Sequence, residues 1–104
     1  ATDVTLDAPG DIKLDADGGD VFFVDGGTTF GSATNSSGNL ILKSGTTTAV
    51  TFSGANATIA GDLTISGDDL TMGTNTDTAI MVADGTNFNP VVPSGDVGLT
   101  NAGV

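Results

Sequence analysis

Glutamate, glutamine, arginine, histidine, cysteine, tryptophan and tyrosine are all missing from this chain of 104 residues. Without cysteine no disulfide can staple the fold, and thiol usage leaves no trace of the redox compartment. Without histidine or cysteine a serine or threonine nucleophile has no ordinary base, which excludes a hydroxyl triad. The loss of Glu, Gln and Arg removes most strong helix formers, so essentially no helix is expected. Positive charge survives only as Lys13 and Lys43 against 13 aspartates, a formal balance of −11. An acidic surface of that strength repels nucleic acid and anionic lipid, so neither is expected as a partner. No apolar run reaches membrane-spanning length, and the first residues lack the charged and apolar regions of a secretory signal. The start at Ala1 leads us to expect a segment of a longer chain, one unit over 1–104 with sub-boundaries near 28–37 and 84–95.

What is present favours pleated structure: 17 threonines, 16 glycines and 26 residues of the Leu, Ile, Val and Phe types. That apolar share is enough for folding but thin for a lone globule, and burial against other copies would thicken it. A short module recurs: glycine, an acidic or amide residue, then apolar, any, apolar. It reads Gly10-Asp11-Ile12-Lys13-Leu14, Gly19-Asp20-Val21-Phe22-Phe23, Gly38-Asn39-Leu40-Ile41-Leu42, Gly61-Asp62-Leu63-Thr64-Ile65 and Gly95-Asp96-Val97-Gly98-Leu99, with a looser copy over Gly67–Met72. Each module predicts a turn followed by a very short strand, because Gly, Asp and Asn tolerate positive φ and the following residues alternate with period two.

Asp3, Asp7, Asp11 and Asp15 recur every fourth residue, with Val4, Leu6, Ile12 and Leu14 between them, which predicts strands with an acidic and an apolar face. Tight turns are predicted at Asp17-Gly18-Gly19 and Asp25-Gly26-Gly27, bracketing the strand Val21–Val24. Thr28–Ser37 reads as a loop anchored by Phe30. Further strands are predicted at Asn39–Lys43, Thr46–Phe52, Thr58-Ile59, Leu63–Ile65, Leu70–Met72 and Thr78–Ala83, a turn at Asp84-Gly85, and an irregular link around Asn89-Pro90 and Pro93. Successive module glycines stand 9, 19, 23, 6 and 28 residues apart. That irregularity disfavours a single-chain β-solenoid, which needs a constant coil length and stands as the alternative. The expected fold is all-β: short strands and Gly/Asp turns in an intertwined trimeric β-helix or β-prism, each chain's apolar seam covered by its symmetry mates.

The runs Gly38–Gly45, Ala49–Gly54 and Ala57–Gly67 resemble shaft repeats of bacteriophage tail fibres and related virion fibre proteins. Ala83–Val91 followed by Ser94–Val97 is similar to fibre segments of phages that infect marine cyanobacteria. The resemblance covers most of Gly38–Val104 and, more weakly, the first 37 residues; Gly98 departs from the module, where Thr or Ser would be expected. It implies a homotrimeric, β-rich structural protein of the virion, displayed outside the capsid to support host attachment, with other virion or fibre proteins as partners. A host-surface glycan would be met through regions not identified in this chain. The family brings no catalytic motif, and the expectation is a non-enzyme without cofactor.

Residues that could carry other chemistry have blander readings. Asp68 and Asp69 could supply two carboxylates for glycoside hydrolysis, but neighbours on a strand point to opposite faces. Asp15, Asp17, Asp20 and Asp25 gather near glycine turns, as calcium ligands do. Their spacing has neither the closing Glu of a helix-loop-helix site nor the third glycine of a Gly-Gly-x-Gly-x-Asp repeat, so turn formation and solvation explain them. Gly18-Gly19 and Gly26-Gly27 lack the lysine and the helix of a phosphate cradle. Asn35-Ser36-Ser37 and Asn56-Ala57-Thr58 match glycosylation acceptors by chance. Phe22, Phe23, Phe30, Phe52 and Phe88 read as interior anchors before sugar-stacking platforms. No catalytic, cofactor-binding or metal-ligating residue is assigned. Two functional alternatives remain: an adhesin or glycan-binding module using Phe88, Asn87 and the loop around Phe30, and an extracellular filament or surface-layer protein that grows by strand-edge addition.

Overall fold

The structure, a computed structural model, describes residues 2–95, and every regular element in them is a β-strand. The chain divides into two units, 1–64 and 65–104. The first holds β1 (Asp20–Asp25), β2 (Thr28–Ser36), β3 (Asn39–Ser44), β4 (Thr47–Ser53) and β5 (Asn56–Ile59), paired antiparallel in chain order as an open meander. The second holds a two-stranded antiparallel sheet of β6 (Ile80–Ala83) and β7 (Phe88–Val91). Neither sheet closes on itself, so the described residues form no single-chain β-solenoid. The last module lies, beyond Gly95, outside the described residues, and Gly98 with it.

Every connection in the meander has two residues, the length that matches the right-handed twist of paired strands when a central residue takes positive φ. Gly26 and Gly27 adopt φ of 55° and 84°, and Ser37 and Gly38 adopt 52° and 85°. In the other two turns only the first central residue is positive, Gly45 at 58° and Gly54 at 57°. Ser37 is the one non-glycine among these left-handed corners, and asparagine tolerates that conformation better. Ser37→Asn is therefore expected to stabilise the fold by about 0.5–1 kcal/mol, read as a higher thermal midpoint.

The β1–β2 and β3–β4 hairpins repeat one another with a nineteen-residue offset, the same interval that separates the module glycines Gly19 and Gly38. Each carries a bulge at the equivalent place. Phe23 opposes Gly31 while Val24 opposes Thr29, leaving Phe30 extra; Leu42 opposes Val50 while Lys43 opposes Thr48, leaving Ala49 extra. The carbonyls of both extra residues accept a further backbone bond, from Gly45 N–H at 2.8 Å and from Ala60 N–H at 2.9 Å. The carbonyl of each extra residue is thus satisfied within the sheet.

Strands β1, β3, β4 and β5 and the turns at Gly18-Gly19 and Gly26-Gly27 lie where the sequence predicts them. Four expectations need correction. Thr28–Ser36 is the longest strand of the sheet, not a loop, because threonine and the small residues suit a pleated strand flanked by tight turns on both sides. Asn89-Pro90 belongs to β7 rather than to an irregular link; a two-stranded sheet has only edge strands, where proline is tolerated. The strands predicted at Val4–Leu6, Ile12–Leu14, Leu63–Ile65 and Leu70–Met72 are absent, because none of the other described residues pairs with them. Finally, the phenylalanines are not interior within one chain: Phe22, Phe23, Phe30 and Phe88 are exposed and Phe52 is half-buried.

Candidate functional site

Residues opposed across an antiparallel ladder share a face of the sheet. The register therefore sorts most of the meander, with Phe22 and Ile41 the apolar exceptions on the second face. Val21 opposes Ala33, Ala33 opposes Leu42, Leu42 opposes Val50 and Val50 opposes Ile59; Leu40 opposes Phe52, and Phe52 opposes Ala57. Phe23 joins this face, with the bulged Phe30 beside it at a ring-centroid distance of 6.1 Å and a 30° tilt. The other face is hydroxylated: Thr34 opposes Ile41, Ile41 opposes Thr51 and Thr51 opposes Thr58, while Ser32 opposes both Phe22 and Lys43. Ser32 and Thr34 share a hydrogen bond of 2.9 Å between their hydroxyls. Of the sheet's charged residues, Asp20 and Lys43 belong to the hydroxylated face, and Asp25 stands beside the first turn.

Among the described residues of the first unit, nothing covers the apolar face. Among the described residues no hydrophobic residue is buried, and Phe30, Leu40 and Leu42 are 60%, 49% and 38% exposed. An open groove of about 350 Å³ runs along the end of this face, lined by Val21, Ala33, Asn35 and Leu40 with the adjoining turn residues. Asn35, the first residue of one glycosylation match, spends its side-chain oxygen on the Gly38 N–H at 2.9 Å and so helps close the β2–β3 turn.

The β6–β7 turn is organised by Asp84. Its Oδ1 accepts the N–H of Thr86 and of Asn87, both at 2.8 Å, its Oδ2 accepts the side-chain amide of Asn89 at 2.6 Å, and its own N–H donates to the Asn87 carbonyl at 3.0 Å. These donors, Asn87 first, hold the carboxyl below the usual aspartate value of 3.8. A folded-state value below the unfolded one stabilises the hairpin above about pH 4, and that contribution is lost as pH falls through the depressed value. An NMR titration is expected to place the Asp84 carboxyl below the usual aspartate value. Asp84→Asn should remove this acid dependence while leaving an oxygen to cap the turn.

The residues singled out for other chemistry are not assembled into a site. Among the described residues no three acidic side chains converge to hold a metal ion, so Asp15, Asp17, Asp20 and Asp25 form no cluster. Asp68 and Asp69 lie exposed in a stretch without strand. Phe88, 68% exposed, borders a shallow groove of about 170 Å³ with Gly85, Thr86 and Asn87; Phe30 stands in a bulged strand, not in a loop. Sequence reasoning missed the hydroxylated half of the arrangement, because β2 carries no apolar alternation. Its signal was the run of Thr and small residues between two glycine turns. Comparison with family models, with curated proteins and with solved structures yields no match.

Proposed function

We propose that the chain is a structural segment of a virion fibre, an acidic, trimeric β-shaft that gives reach and stiffness to a host-attachment device and performs no catalysis. The observation that supports this reading is the uncovered apolar face of the meander, with no hydrophobic residue buried among the described residues. The fibre-like runs in Gly38–Gly67 and Ala83–Val97 supply the biological context.

Three copies around a common axis would give that face a closed interior. Five strands about 4.8 Å apart and some six residues long present roughly 500 Å² per copy. Packed together in the proposed trimer, three such faces would withdraw roughly 1,500 Å² from water in all, shared over three interfaces. With the apolar faces inward, the hydroxylated faces and most of the carboxylates remain in water, where a balance of −11 per chain keeps a long assembly soluble. Separating the copies would return the face to water, so separation and loss of structure are coupled and chain exchange is slow. Sedimentation equilibrium on a dilute sample is expected to give three chain masses; a folded species of one chain mass would remove the proposal.

A further inference from the structure

An aspartate followed by glycine is the least hindered place for a backbone nitrogen to attack a side-chain carboxyl, because glycine carries no Cβ beside the nucleophile. The chain has three such steps, Asp17-Gly18, Asp25-Gly26 and Asp84-Gly85, and all six residues are exposed. They differ in what the fold does with the carboxyl and with the peptide unit that must rotate toward it. Asp84 is tied down: its Oδ1 accepts two N–H groups and its Oδ2 the Asn89 amide, so moving Cγ onto the Gly85 nitrogen breaks three hydrogen bonds. The Asp25 carboxyl accepts no hydrogen bond among the described residues, but its backbone is paired with Thr28 at the end of the β1–β2 ladder. Asp17 has neither restraint. Its carboxyl is likewise unpartnered among the described residues, and it stands outside the sheet, ahead of β1. A single backbone bond closes its turn, from Gly19 N–H to the Ala16 carbonyl at 2.8 Å, and the Gly18 N–H has no backbone partner.

We propose that Asp17-Gly18 is a modification site, the place where the folded chain forms isoaspartate. The Gly18 nitrogen attacks Cγ of the Asp17 carboxyl, protonated from solvent, and forms a Cγ–N bond. The carboxyl hydroxyl departs as water with the N–H proton, which closes a five-membered succinimide. Water then adds to the ring. Opening at the Cγ–N bond restores aspartate, whereas opening at the original peptide bond leaves Gly18 joined through Cγ and the former main-chain carbonyl as the free carboxylate. One water leaves and one returns, so mass and oxidation state are unchanged, and no second copy of the chain is needed. The main-chain path becomes one atom longer just before Gly19, whose carbonyl accepts the Asn35 N–H at 2.8 Å where the chain enters the sheet.

The full chain, aged in neutral buffer, can be cut after Lys13 and Lys43 and searched for isoaspartate by electron-transfer fragmentation. Asp17 and Asp25 then lie in the peptide 14–43 and Asp84 in 44–104. Isoaspartate is expected first at position 17, more slowly at 25, and at least about tenfold more slowly at 84, the factor set by breaking even one hydrogen bond to a charged group. In guanidinium chloride the three rates should converge, because the reacting pair is the same in each. Gly18→Ala should lower the yield at position 17 several-fold and keep the fold, since Gly18 lacks a positive φ and a Cβ there meets nothing within 4 Å. A folded chain in which position 17 fails to lead the other two, an order of rates that denaturant leaves unchanged, or an undiminished yield in Gly18→Ala would overturn the assignment.

Discussion

Leu42→Asp is expected to break the proposed trimer into single chains. Leu42 lies on the central strand of the meander, flanked by Ala33 and Val50, at the middle of the uncovered face. In a trimer every copy contributes one, so the substitution removes three leucines and introduces three carboxylates near a common axis. A truncated core leucine costs about 2–5 kcal/mol, and an unpaired buried carboxylate costs several more. The sum, on the order of 10 kcal/mol or above, exceeds what a marginally stable assembly of this size can lose. Thr51→Asp tests the assignment of faces, because Thr51 opposes Ile41 and Thr58 on the hydroxylated side. There the same charge is expected to cost no more than about 0.5 kcal/mol and to leave the sedimenting mass unchanged. Greater damage from Thr51→Asp than from Leu42→Asp would mean that the wrong face has been turned inward.

The second large effect is expected at Gly31. A Cβ at this position would lie 2.7 Å from the Lys43 carbonyl oxygen, closer than real Cβ atoms approach. Lys43 belongs to the neighbouring strand, and its carbonyl is held by the ladder, so the contact cannot be relieved by a side-chain rotation. The glycine is required by close approach of two strands beside a bulge, not by a left-handed backbone. Gly31→Val is expected to destabilise the fold by about 2–3 kcal/mol and Gly31→Ala by somewhat less, measured by urea unfolding. A valine variant that melts like the parent would show that β2 and β3 are not this close.

Much of the architecture was legible in the residues, and the parts that were not share a cause. Absent helix formers together with abundant threonine and valine point to an all-β chain, and Gly26-Gly27 marks a hairpin without ambiguity. Strands β1 and β3 announce themselves by short apolar runs after Gly-Asp and Gly-Asn, and β4 by the alternation of Val50 and Phe52 with threonine. Strand β2 does not, because its residues on the shared apolar face are mainly Gly31 and Ala33 and those on the other are hydroxyls. A search for apolar periodicity passes over such a strand, although it sits inside the sheet. The reverse error occurred at Ile12–Leu14 and Leu63–Ile65, where the pattern is present and the strand is not. The apolar face was legible only in pieces, since the side on which Phe30 falls depends on a bulge that no local motif declares.

By itself, then, the order of residues determined the class of structure, the places where the chain can reverse and the sign of its surface. Those properties follow from each residue's own torsional freedom, hydrogen-bonding capacity and charge, which travel with it into any fold. The tertiary structure decided which strand-like segments pair, which residues stand opposite one another, and that Val21, Leu42, Val50 and Ile59 lie side by side on one uncovered face. A strand is half of a bond: its ladder of N–H and C=O groups is completed only by a neighbour, and a segment's own sequence cannot say where that neighbour is.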